Sequence, residues 1–87
     1  MDANVAAQAA AIVPKIDYLS GLIAGLNAAI GNNALIYDLH LKLNNNGVLE
    51  EIVLGDLDLV GSQACFQLAI NTYQTQLNAL NTQLSAL

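Results

Sequence analysis

The most unusual property of this 87-residue sequence is how little charge it carries. Charged residues make up 10% of the chain and hydrophobic residues 55%, whereas about 25% of an ordinary globular domain is charged. The only basic residues, Lys15 and Lys42, face seven acids, which gives a net charge of -5. This balance excludes electrostatic binding to nucleic acid or to an anionic membrane. The scarcity of charge favours association between copies, which reduces the surface that charge must cover.

Cysteine, proline and uninterrupted apolar runs are also scarce. The single cysteine, Cys65, has no partner for an internal disulfide, and within a helix it is expected to be a buried thiol. The apolar-rich region from Ala9 to Ile30 is interrupted by Pro14, Lys15 and Asp17, so no membrane-spanning helix is predicted. The opening "MDANVAAQAAAIV" has an acid where a signal peptide has basic residues, so no signal peptide is predicted either.

The first third of the chain has the periodicity of one long helix, predicted over residues 1–31 of a single domain, 1–87. Pro14 should break or kink it near Val13, because the proline ring clashes with the preceding turn. Gly31 is expected to end it by supplying a left-handed residue. Apolar residues spaced alternately by four and three form the helix 1 seam: Val5, Ala9, Ile12, Ile16, Leu19, Ile23, Leu26 and Ile30.

The middle of the chain, residues 34–60, has the two-residue period of a β-hairpin. Odd positions from Leu35 to Leu43 are apolar, and "NNNG" supplies a turn. A type I′ turn at Asn46-Gly47 places Leu39 opposite Leu54, Leu41 opposite Ile52, Lys42 opposite Glu51, and Asn45 opposite Val48. Gly55 is expected to form a bulge or bend, with room for a short third strand after it.

A second helix is predicted over 62–87, with Ser62 as its N-cap and Val60 packing on Phe66. Its flanks carry amides where many coiled coils carry charges, so charge should not determine its partner. The helix 2 seam comprises Phe66, Ile70, Tyr73, Leu77, Leu80, Leu84 and Leu87.

These elements predict an α+β fold, mainly α, in which two long helices are separated by a β-hairpin. The simpler arrangement is an antiparallel helical hairpin with a β tip, and the alternative places the helices in different layers of an oligomer. Alone, such a chain of 87 residues would expose much apolar surface, because small domains bury only about 60 to 65% of their unfolded surface. The seams are therefore expected to support a homo-oligomer, with a trimer favoured over a dimer.

Few residues have the spacing of a chemical site. Asp38, His40, Asp56 and Asp58 could converge on a metal, although such spacing is also common on solvated strand faces. Glu50 next to Glu51, or Cys65 with His40, would be the only catalytic groups, and no motif joins them. Gly21 and Gly25 are expected to allow close helix contact in a core. We therefore predict no catalytic residue, no metal and no cofactor.

These features favour a non-enzymatic structural protein that docks on a larger assembly. The acidic, lysine-poor, amide-rich makeup resembles that of small bacteriophage virion accessory proteins, such as capsid decoration (cement) proteins, head fibres or tail-fibre trimerisation segments. That resemblance implies a location in the virion and a capsid or tail as partner. The alternative is a small cytoplasmic adaptor or chaperone-like module that binds a client helix in an apolar groove. A third hypothesis is a membrane-surface or secreted amphipathic protein.

Overall fold

The computed structural model describes residues 2–87, which form two long helices separated by an antiparallel two-stranded hairpin. In chain order the elements are α1 (Ala3–Gly31), β1 (Leu39–Asn45), β2 (Val48–Leu54) and α2 (Leu59–Ser85). The predicted fold class, mainly helical α+β, is confirmed.

Helix α1 runs through Pro14 without interruption, so of the predicted break or kink near Val13 the break does not occur, and the kink stays a prediction. Proline removes only one backbone hydrogen bond from a helix. Seam residues on both sides, Ile12 and Ile16, are half-buried on the face that meets α2, and this packing holds both halves in one helix. At the start, Asp2 caps the helix by accepting a hydrogen bond of 2.8 Å from the Val5 N–H.

The end of α1 differs from the expectation for Gly31. Gly31 is still helical, and the left-handed residue is Asn33, with a φ of 54°. Asparagine is the residue that, after glycine, most readily adopts this conformation. The Ala34 N–H then donates to the Ala29 carbonyl at 2.9 Å, which gives a partner to one of the last carbonyls of the helix. The left-handed residue that closes α1 is thus two positions later than predicted.

The hairpin has the predicted register, with Leu39 opposite Leu54, Lys42 opposite Glu51, and Asn45 opposite Val48. Asn46 and Gly47 have φ values of 55° and 87°, which are the two positive angles of a type I′ turn. The alternation starting at Leu35 does not yield strand before Leu39, and residues 55–58 form no third strand. Residues 35–38 instead lead from α1 to the hairpin.

Helix α2 begins three residues earlier than predicted, because Asp58 and not Ser62 is its N-cap. The Asp58 carboxylate accepts a hydrogen bond of 2.7 Å from the Gly61 N–H. Val60 is 77% exposed, so the predicted packing of Val60 on Phe66 does not form a buried contact. Asp58 and Ser62 are both residues that can cap a helix. The hydroxyl of Ser62 instead accepts a hydrogen bond from the Ile36 N–H.

The helices pack against each other in antiparallel orientation. Near one end, the Gln63 amide donates to the Asn33 side-chain oxygen at 3.4 Å, and at the other end Ile12 and Leu87 line the same cavity. The seam residues are the less exposed positions of both helices, apart from Leu87, which is 41% exposed. The two seams therefore meet within one chain.

The chain has very little interior. Among residues 2–87, Leu19 and Ile70 are the only buried apolar side chains, whereas fourteen large hydrophobic side chains are exposed. Helix packs on helix and strand on strand, but neither strand packs closely on a helix. The radius of gyration is 16.9 Å, against about 12 Å for a compact domain of this length. The molecule is flat, measuring 51 × 37 × 15 Å.

Candidate functional site

One broad face of the helix pair carries a long groove. Three cavities follow one another along it, with volumes of about 420, 600 and 360 Å³. Every one of them is lined by α2 residues from the same flank of the helix, which we name the groove stripe. At 1.5 Å per residue this stripe is about 30 Å long. The groove stripe comprises Cys65, Ala69, Thr72, Gln76, Ala79, Gln83 and Ala86.

The opposite wall of the groove changes along its length. At the end nearest Leu87 the wall is formed by the first half of α1, including Ala11. In the middle it is formed by Pro14 and Tyr18, with Lys15 as its one charged residue. At the other end Leu39 and Leu41 of the hairpin face the groove stripe across a gap. The groove is thus mainly apolar, and its α2 side carries no charge.

The other flank of α2 is covered by amides, which we name the amide stripe: Gln67, Asn71, Gln74 and Asn78. These side chains bond to each other along the helix, Gln67 to Asn71 at 2.9 Å and Gln74 to Asn78 at 3.0 Å. Such pairs one turn apart stabilise a helix by about 0.2–0.5 kcal/mol each. The two flanks of α2 therefore differ, one grooved and apolar, the other polar.

The threonines of α2 have their hydroxyls bonded within the helix. Thr72, Thr75 and Thr82 each donate a hydrogen bond of 3.0 Å to the carbonyl four residues earlier. Burying a hydroxyl is costly when its hydrogen bond to water is not replaced. Because these bonds already exist in the single chain, the threonine side of α2 can be covered by protein with a small polar penalty.

Ser62 joins the two halves of the fold. Its hydroxyl accepts a hydrogen bond of 2.9 Å from the Ile36 N–H and lies 3.5 Å from the Leu57 carbonyl. The Leu57 N–H in turn donates to the Ile36 carbonyl at 2.8 Å. The segments before and after the hairpin are thereby tied to the first turn of α2, which fixes the hairpin at one end of the groove.

The hairpin and its flanking segments carry five of the seven acids, but these acids do not converge on one point. His40 Nδ1 lies 3.0 Å from Glu51 Oε1, in an exposed pair. Glu51 is opposite Lys42 in the register, as predicted, yet its carboxylate bonds to the histidine. Asp58 is occupied as the helix cap. Residues 2–87 contain no group of three or more side chains placed to hold a metal ion, so the predicted candidates Asp38, His40, Asp56 and Asp58 are not brought together.

The other predicted candidates are also separated or open. Cys65 is half-buried in α2, and it faces Leu39 and Leu41, whereas His40 points to the other side of β1. A side chain at Gly21 or Gly25 would meet nothing within 4 Å. Within one chain these glycines therefore allow no close helix contact, since they lie on the open side of α1, and their role in a contact between copies stays a prediction.

Helix α1 has the length and composition of a membrane span. Its most apolar 18-residue window has a mean hydropathy of 1.4 and is almost entirely exposed. The core helix of a soluble protein and a signal sequence can meet the same criteria. Pro14, Lys15 and Asp17 lie within α1, and the amide-rich α2 packs along it. The expected absence of a membrane span thus stays a prediction.

Sequence reasoning missed the groove, although its signal was present. The groove stripe repeats with the spacing four and three, just as the seam does, but after Cys65 it consists of alanine, threonine and glutamine. A packing surface is predicted from the spacing of apolar residues, so small and polar residues with the same spacing do not indicate one. Fourteen residues between Cys65 and Leu87 thus form two uncharged rows, the seam and the groove stripe, and only the seam stands out by its hydrophobicity. No family model, curated protein or solved structure matches this chain.

Proposed function

We propose that this chain is a non-enzymatic structural protein that forms a homo-oligomer, with a trimer favoured over a dimer, and that docks on a larger assembly such as a bacteriophage capsid or tail. The observation that carries the proposal is the near absence of an interior. In the part of the chain that the structure describes, two apolar side chains are buried, Leu19 and Ile70, whereas fourteen large ones are exposed. Domains ordinarily bury a core between two layers of secondary structure, and one copy of this chain supplies a single layer.

The distribution of charge supports different roles for the hairpin and for α2. Five of the seven acids lie between Asp38 and Asp58, in the hairpin and its flanks, and α2 has no acidic or basic residue. Copies that each carry a net charge of -5 associate with least repulsion through α2. The acidic hairpin end then remains available for a basic surface on the larger assembly.

Light scattering after size-exclusion chromatography tests the homo-oligomer. We expect a molar mass about three times that of one chain, unchanged over a hundredfold range of protein concentration. A single-chain mass throughout that range would overturn the proposal.

A second candidate function is supported by the groove itself. An adaptor or chaperone-like module would receive the apolar face of a client helix in it, as helix-in-groove domains do. This candidate predicts a stable monomer with the groove open. The same chromatography separates the structural protein from the adaptor, because a trimer that covers the groove leaves no place for a client.

Co-sedimentation with neutral phosphatidylcholine vesicles tests the membrane-surface hypothesis. Binding to the vesicles would favour attachment of α1 to a bilayer.

A further inference from the structure

The groove can be filled by a helix from a second copy of the same chain. We propose that α2 of a second copy seats against the groove stripe, so that the oligomer is held together by α2–α2 contacts. This inference rests on the proposed homo-oligomer and names the surface through which it forms.

The exposed area of one chain is the first argument. The accessible surface is 6142 Å², whereas a compact monomer of this mass exposes about 4,900 Å². The difference of about 1,200 Å² exceeds the about 800 Å² that each partner buries in a standard interface. One chain therefore has enough surplus surface for a stable contact with another copy, and more than enough for a weak encounter.

Charge selects which surface the copies share. The hairpin carries Glu50 and Glu51, and α1 carries Asp17, so a contact between copies through either element brings acids of both copies to the shared surface. By contrast, the groove stripe is uncharged, and the nearest ionic group is Lys15 on the opposite wall. Because like charges at an interface are costly, the copies meet through α2.

The chemistry of α2 also makes it a suitable occupant. Ala69, Thr72 and Ala79 are small, so a second helix can approach closely along this flank. The threonine hydroxyls are bonded to their own backbone and need no partner across the contact. Gln76 is at the middle of the stripe and has both a donor and an acceptor, so it can pair with its equivalent in the other copy. A foreign helix with charged flanks would lack this match.

A pair of glutamate substitutions on the two flanks of α2 tests the inference. Ala79→Glu places a carboxylate in the groove, and Asn78→Glu places one on the amide stripe. Both positions are exposed in the single chain, so both variants should keep the helix pair, as circular dichroism would verify. At position 78 a glutamate still accepts the hydrogen bond from Gln74. We expect Ala79→Glu to raise the dissociation constant of the oligomer at least about a hundredfold, and Asn78→Glu to leave it nearly unchanged.

The outcomes separate the inference from the proposed function. If wild type and Ala79→Glu are equally oligomeric, the groove is not the interface, although the homo-oligomer stands. Equal dissociation by both variants, or by Asn78→Glu alone, also overturns the groove as the interface. If the wild-type chain is a monomer, the proposed function fails together with the inference.

Disulfide trapping gives a second readout that does not depend on stability. In a Cys65→Ala background, Ala79→Cys should form covalent dimers on mild oxidation, either with itself or when mixed with Thr72→Cys, depending on whether the helices are parallel or antiparallel. Asn78→Cys in the same background is the matched control. Non-reducing electrophoresis measures the yield, and equal yields from positions 78 and 79 would contradict an α2–α2 contact along the groove stripe.

Discussion

Ser62 is the one polar side chain among residues 2–87 that is completely shielded from solvent. Its hydroxyl accepts a hydrogen bond of 2.9 Å from the Ile36 N–H. This bond gives the segment between α1 and β1 the partner that a neighbouring strand would provide in a sheet. We expect Ser62→Ala to lower the free energy of unfolding by about 1–3 kcal/mol, because the substitution leaves this N–H without a partner. Urea denaturation followed by circular dichroism measures the effect.

Ser20→Ala is the matched control for that substitution. Ser20 is exposed within α1, and alanine is the better helix former by a few tenths of a kcal/mol. The control should therefore be neutral or slightly stabilising. Equal effects of the two substitutions would mean that the Ser62 hydrogen bond contributes nothing to the fold.

Ser62 also shows where prediction from sequence stops at the scale of single residues. A serine in front of a helical pattern is a good N-cap, and so is the aspartate four positions earlier. The choice went to Asp58 because the Ser62 hydroxyl meets Ile36, 26 residues away in sequence. Because the partner of Ser62 is so distant in sequence, the residues around the helix start do not indicate which of the two candidates becomes the N-cap. The positive φ at Asn33 in place of Gly31 is a similar case.

At the scale of elements, Pro14 is the clearest departure from local preference, since α1 continues through it. Proline inside a helix costs about 3 kcal/mol relative to alanine. We expect Pro14→Ala to restore the hydrogen bond to the Ala10 carbonyl and to raise the free energy of unfolding by about 1–3 kcal/mol. Thermal melting measures the gain, with the neighbouring exposed Lys15→Ala as control. A loss of stability would show instead that the proline ring packs in the groove.

The hairpin turn gives a second test at this scale. Gly47 has a φ of 87° and Gly55 does not have a positive φ, while an added Cβ at either would meet nothing within 4 Å. Gly47→Ala should therefore carry the backbone cost alone, about 1–2 kcal/mol, and Gly55→Ala should cost less. Because the hairpin does not pack closely on the helices, the effect should appear as about 5- to 30-fold faster amide exchange in β1 and β2. Equal exchange in both variants would contradict the type I′ turn.

For the whole molecule, local periodicity was enough to predict the fold but not the groove. The seams and the hairpin register follow from spacings of 3.6 and 2 within single elements. The groove requires knowing that matching flanks of α1 and α2 lie on the same face, and that Leu39 and Leu41 stand beside Cys65 without closing the gap. No spacing within one element encodes that arrangement. It depends on how antiparallel helices and the hairpin are joined through residues 32–38 and 55–58.

In the whole molecule the two seams pack on each other within one chain, as in the simpler of the two arrangements expected from the sequence. Leu77 and Leu80 are half-buried in the contact between helices of one chain. Leu77→Asp with Leu80→Asp should therefore abolish the oligomer by unfolding the helix pair, since each buried unpaired charge costs several kcal/mol. We expect helicity by circular dichroism and oligomer mass by light scattering to be lost together. Retained helicity with a monomeric mass would place these leucines between chains instead.

Salt separates an assembly held by apolar surface from one held by ion pairs. The one close pairing of a histidine or lysine with an acid among residues 2–87, His40 with Glu51, is exposed and lies within the hairpin, and α2 contributes no charge to a contact. At about 1 M salt the Debye length falls to about 3 Å, which screens exposed charges from one another. We therefore expect the dissociation constant of the oligomer to stay the same or to fall on going from about 0.1 M to about 1 M sodium chloride, because screening weakens the repulsion between copies of net charge -5. Sedimentation equilibrium at the two salt concentrations measures the constant. A rise of tenfold or more would mean that charges, and hence a surface other than α2, hold the copies together.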